Sequence, residues 1–130
     1  IQKMAKDMGA DRVNLKTVQV YDFENGNDLI PENENFTRYK KDESGKLTIK
    51  NKFKNSCWRS WSSCVITWDG KVVPCCFDKD AKHQLGEITK TDFKKIWRSD
   101  ISNDFRKKLL KDRESIEICK NCSEGSKVWV

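Results

Sequence analysis

Residues 64–76 read C-V-I-T-W-D-G-K-V-V-P-C-C: a cysteine, a short apolar run, a turn, a second run and two adjacent cysteines. The runs at 65–68 and 71–73 hold the β-branched and aromatic residues that suit a pleated strand. Asp69-Gly70 between them is the strongest short-range hairpin signal. A hairpin folds its two ends together. It therefore carries Cys75, just past the second strand, back toward Cys57, which precedes the first. Neighbouring strand side chains point to opposite faces, so only one of Cys75 and Cys76 faces such a meeting point. Pro74 fixes the strand end and favours Cys75. Cys64, at the start of the first strand, reads as a small buried apolar residue.

Two further thiols lie near the end of the chain, in C-K-N-C at 119–122. That spacing lets both sulfurs reach one metal, as in zinc knuckles and iron–sulfur sites. It also occurs in redox dithiols, but those follow a strand and open a helix, whereas this pair follows a helix. The helical pattern returns the pair toward the hairpin. Cys57, Cys75, Cys119 and Cys122 then form a four-thiolate candidate site drawn from three segments, with Cys64 and Cys76 as secondary candidates. A disulfide framework is the alternative use of six cysteines.

Composition explains why such a staple matters. Of 130 residues only 36% are hydrophobic and 35% are charged, so the core is thin for the length. Net charge is +6, but 26 basic residues are mixed with 20 acidic ones, as in K-K-D-E and K-D-R-E. Such mixing describes a solvated surface rather than the clean basic stripe of a nucleic-acid groove. Nucleic-acid binding through Trp58, Arg59 and Trp61 is a minor reading, and no nucleic-acid or membrane partner is expected. No apolar run approaches the roughly 20 residues of a membrane span, and no secretion signal is visible. A cytoplasmic location is the expectation. The chain starts at Ile1 with a helical pattern already running and reads as a piece of a longer polypeptide.

Along the chain, Ile1, Met4, Ala5 and Met8 recur at helical spacing, with Gly9 at the C-cap. Residues 11–21 alternate, with Val13, Leu15 and Val20, as a strand. Residues 22–53 are polar and read as a long connection with a short extended stretch at 47–49. After the hairpin, Gly86 precedes Thr89 and Thr91, expected N-caps for a helix carrying Phe93, Ile96 and Trp97. A second helix begins near Ser102, with Phe105, Leu109 and Ile101 on its inner face. Trp58, Trp61, Trp68 and Trp97 are expected to be core or cover for the thiols. Arg38-Tyr39 is substrate-facing or a packed anchor, Asp78 caps a turn, and His83 is solvated. Val128, Trp129 and Val130 lie in a polar tail.

These pieces together resemble a known family. The run C-W-R-S-W-S-S-C-V-I-T-W-D-G-K-V-V-P-C-C-F-D at 57–78, L-G-E-I at 85–88, F-K-K-I-W at 93–97 and C-K-N-C at 119–122 are similar to the SPASM/twitch C-terminal domain of radical SAM enzymes. The resemblance implies an auxiliary [4Fe–4S] cluster on Cys57, Cys75, Cys119 and Cys122, in the shorter, one-cluster arrangement. It implies an α+β fold: a small cysteine-stapled domain at 54–130 with a β-hairpin followed by helices. A connecting segment at 23–53 and a helix-strand remnant of a partial (β/α) barrel at 1–22 would precede it. Asn14 and Lys16 would then approach the barrel interior. The C-x-x-x-C-x-x-C that holds the family's catalytic cluster is absent from these residues, so this chain alone is not expected to cleave S-adenosylmethionine. Within a parent oxidoreductase the domain would transfer electrons or position a peptide or small-molecule substrate. Its partners would be the rest of the barrel and an electron donor or acceptor. A structural zinc domain serving in protein or peptide binding is the alternative.

Overall fold

The computed structural model describes residues 1–50 and 54–122. It is a small mixed helix-and-sheet protein with two antiparallel sheets, of two and three strands. The chain divides into two compact units, which meet in sequence after Lys50.

In the first unit, helix α1 (Gln2–Asp7) ends as its residues suggest, with Gly9 N–H bonded to Lys6 O and Ala10 N–H to Ala5 O. The strand expected at 11–21 does not form. Its backbone is served instead by two buried side chains. Arg38 donates to Thr17 Oγ1 at 3.1 Å and to Thr17 O at 2.9 Å. The Tyr39 hydroxyl accepts from Val20 N–H at 3.1 Å and donates to Val20 O at 3.3 Å. Polar backbone satisfied this way needs no ladder. A barrel strand is therefore not seen, and Asn14 and Lys16 are exposed. Arg38-Tyr39 is a packed anchor, and Phe23 stacks on Tyr39 at 4.6 Å between ring centroids.

The expected connection at 22–53 holds more structure than its composition suggests. The extended stretch is strand β2 (Leu47–Ile49), and it pairs antiparallel with β1 (Tyr39–Lys41). Asp42 shapes the turn by accepting from Ser44 N–H at 2.9 Å and Lys46 N–H at 3.0 Å. That partner strand was hidden because Lys40 and Lys41 are exposed and only Tyr39 carries an apolar signal.

The second unit is built on the hairpin. After a one-turn helix α2 (Arg59–Ser62), β3 (Val65–Ile66) pairs antiparallel with β4 (Lys71–Val73), Val65 opposite Val73. The loop spans three residues, with Thr67 N–H bonded to Lys71 O and Gly70 in the left-handed region at φ 83. A glycine at that position is what a three-residue hairpin loop needs. Asp69 braces the turn, accepting from Thr67 Oγ1 at 2.5 Å and facing Lys71 Nζ at 2.7 Å. A third strand, β5 (Gly86–Glu87), pairs with the other edge of β4. It went unread because its two residues carry no alternating pattern. Helix α3 (Phe93–Trp97) is capped by Asp92, not by Thr89 or Thr91: the Asp92 carboxylate accepts from Lys94 N–H at 2.9 Å. Helix α4 (Asp100–Lys111) starts earlier than expected, capped by Ser99. Phe105 and Leu109 face inward, but Ile101 is 60% exposed and Ser102 takes the inner place, donating to Ile96 O at 2.6 Å. Arg113–Ser115 form a 3-10 turn, and α5 (Glu117–Lys120) closes the described chain. The tail at 128–130 lies outside the described residues. Among the described residues no helix is long and apolar enough to cross a membrane.

Two small cores result. One joins Val72, Leu85 and Ile96, with Cys64 packed against them. The other joins Leu109, Ile116, Ile118 and Cys119, with Cys57, Cys75 and Phe77 packed against them. Phe105 touches both. The four described tryptophans do not build them. Trp58 is 81% and Trp68 98% exposed, Trp61 is exposed too, and Trp97 is half-buried. Position explains this: Trp68 sits in the hairpin loop and Trp58 at the mouth of a helix too short to bury one face.

Candidate metal centre

None of the six cysteines forms a disulfide. Four of them pack in or against the two cores. Cys57, Cys75 and Cys119 share the second core, and Cys122 lies close enough to disturb both Cys75 and Cys119 electrostatically. Cys64 packs in the first core, away from them. Cys76 is exposed, while Cys75 beside it is half-buried.

Each thiol is delivered by a short device. For Cys75, β4 ends at buried Pro74, and the chain turns with Asp78 N–H bonded to Cys75 O at 3.2 Å. The buried Asp78 carboxylate fixes the next loop, accepting from Lys82 N–H at 2.9 Å and His83 N–H at 2.8 Å. The turn-capping role expected of Asp78 is what it performs. His83 is not merely solvated: it is half-buried and edge-on to Phe105 at 5.6 Å. Cys119 sits on α5, and Cys122 N–H bonds Cys119 O at 3.1 Å, so the two thiols hang from one turn. Both are buried. Cys57 is placed by its lead-in. The Asn55 amide donates to Lys111 O at 2.9 Å and its oxygen accepts from Arg113 N–H at 3.0 Å. Arg113 Nη1 donates to Ser56 O at 2.9 Å.

Burial dominates the acid–base behaviour of the thiols. It pushes Cys75 up to about 12, against a backbone hydrogen bond from Phe77 that favours the thiolate. It pushes Cys119 up to about 11, against the attraction and hydrogen bond of the Arg113 guanidinium. Burial alone raises Cys64. Repulsion from neighbouring thiols helps raise both: from Cys119, Cys76 and Cys122 at Cys75, and from Cys122 and Cys57 at Cys119. Such a set is awkward as bare thiolates, and a bound cation or cluster would relieve it by displacing the protons.

The donor set contains sulfur only, which suits zinc or iron–sulfur chemistry and disfavours hard cations. Among the described residues no three of His, Cys, Asp or Glu converge tightly enough to hold a single metal ion. A zinc tetrahedron needs four sulfurs at about 2.3 Å from one centre. A cubic cluster takes one thiolate at each iron, at separate corners, and so suits a wider spacing. An all-sulfur donor set suits either group.

Arg113 and Asn55 were invisible as site residues. Arg113 lies in the mixed-charge K-D-R-E run that reads as solvated surface, yet it is 5% exposed. No local pattern distinguishes it from its charged neighbours.

Comparison with known proteins bears on the same residues. The family model for SPASM, an iron–sulfur cluster-binding domain, matches residues 57–123. The chain is 35% identical over 72 residues to the S-adenosyl-L-methionine-dependent 2-deoxy-scyllo-inosamine dehydrogenase of Niallia circulans. That match covers 55% of this chain and 29% of the relative. No solved structure matches at a comparable level of significance.

Proposed function

The chain belongs to the SPASM iron–sulfur cluster-binding family, and from that premise we propose that Cys57, Cys75, Cys119 and Cys122 ligate one auxiliary [4Fe–4S] cluster. The observation that carries this reading is that Cys57, Cys75 and Cys119, from three segments, share one core and Cys122 acts on two of them, while Cys64 packs in the other core and Cys76 is exposed. When bound, the cluster supplies one-electron chemistry. The chain's own residues hold it, keep water from it and set its charge surroundings. Leu109, Ile116 and Ile118 form the apolar wall, and the Phe77 amide and the Arg113 charge favour the thiolates of Cys75 and Cys119.

The parent protein is proposed to be a radical SAM enzyme with the catalytic cluster on its barrel. With four thiolates filling the cluster's protein positions, electron transfer is favoured over direct coordination of substrate. The dehydrogenase activity named for the relative supports this, since a dehydrogenation releases electrons that need an acceptor. Positioning of a peptide or small-molecule substrate is the accompanying role.

The test is metal and sulfide analysis of the 130-residue chain prepared without oxygen. A brown protein with about four iron and four acid-labile sulfides per chain is expected. A colourless protein holding one tight zinc would replace this reading with the structural zinc domain.

A further inference from the structure

The buried cation beside the cysteines has a use that the ligand set does not explain. Arg113 is 5% exposed, and a buried guanidinium is costly unless it is paired and hydrogen-bonded. Its surroundings hold it in place. Nη1 donates to Ser56 O at 2.9 Å, directly before Cys57, and its backbone N–H is taken by Asn55 at 3.0 Å. Asn55 is itself anchored on Lys111 O. Arg113 also stands in the 3-10 turn that leads into α5, the helix of Cys119, and its charge favours the Cys119 thiolate. One cation therefore touches the segments that carry two of the four thiols.

We infer that Arg113 sets the reduction potential of the cysteine-ligated centre, with the Ser56 carbonyl holding its guanidinium beside the segment of Cys57. The inference rests on the cluster reading above. Four thiolates leave a ligated cluster with net negative charge, and reduction adds one more electron. A fixed positive charge in a poorly screened interior favours that more negative state. Hydrogen bonds to sulfur and net charge are recognised levers on the potential. Arginine suits the task because it stays protonated.

The experiment is a redox titration of the reconstituted 130-residue chain, followed by visible absorbance, for wild type, R113Q, R113M, R113K and N55A. At a poise near the wild-type midpoint, R113Q and R113M should raise the oxidised-to-reduced ratio at least about tenfold, a fall of 59 mV for one electron. R113K should recover most of that shift, because charge rather than fork geometry sets it. N55A should stay near wild type, because the guanidinium remains. A neutral variant that keeps a full cluster at the wild-type midpoint overturns the inference. So does loss of the cluster from R113Q and R113M alike, which would make Arg113 a structural clamp. A wild-type chain that takes up no iron and sulfide overturns the site reading itself, and the inference with it.

Discussion

The second unit holds two small cores that share Phe105 and use the same residue type for opposite ends. In one, Cys64 fills space among Val72, Leu85 and Ile96 as any small apolar side chain would. In the other, Cys57, Cys75 and Cys119 come together with a buried arginine and a fourth thiol near by. Burial raises the thiol in both. What separates them is company: only the second group is raised further by other thiols and lowered by a cation. A buried cysteine is therefore no sign of a site by itself, whereas buried cysteines that repel one another are.

The sharpest way to break this comparison is to remove one thiol from each core. Cys75→Ser should abolish cluster binding, while Cys64→Ser and Cys76→Ser keep it, measured as iron and sulfide per chain. Loss of the cluster from C64S would join the two cores into one site. Next in size, Leu109→Ala removes a side chain that is 1% exposed from the wall of the cysteine core. It should cost about 2–5 kcal/mol by chemical denaturation and lower cluster occupancy with it.

The aliphatic core offers a counterpart. A Cβ on Gly86 would stand 2.8 Å from two carbons of Ile96, where β5 and α3 pack closely. Gly86→Ala should therefore cost about 1–3 kcal/mol through overpacking and leave the metal content of the folded chain unchanged. Cluster loss without unfolding would show that the cores are coupled.

The smallest effect is one of pH on the metal-free chain. Burial pushes the folded thiols of Cys75 and Cys119 up to about 12 and about 11, against an ordinary value of 9.0. Above 9.0 the unfolded chain loses these protons first, so the native state binds more protons and its stability falls as pH rises. Below 9.0 that contribution should be flat. Denaturation midpoints on either side of this value, compared between wild type and C75S, measure it. An equal slope in both proteins would remove Cys75 as a source.

How far the sequence carried the fold depended on how local each signal was. The hairpin was legible because Asp69-Gly70 between two β-rich runs leaves little choice of local structure. Strand β5 was not, since Gly86-Glu87 becomes a strand only through the free edge of β4. The alternation at 13–20 misled for the same reason in reverse. A strand needs a ladder, and here Arg38 and Tyr39 take up the backbone of Thr17 and Val20. The tryptophans misled because bulk was taken for burial, yet Trp68 is 98% exposed. Four thiols could be named because cysteine spacing is a chemical signal that survives without coordinates. Arg113 could not, because its burial follows from Asn55 and Ser56, more than fifty residues away in sequence.

The central claim is that the second core surrounds one multi-iron cluster. Iron-edge X-ray absorption on the anaerobically reconstituted 130-residue chain tests it most directly. The account predicts a first shell of sulfur around iron and a second shell of iron. A metal that is zinc, or iron with sulfur neighbours and no second metal near it, would contradict it.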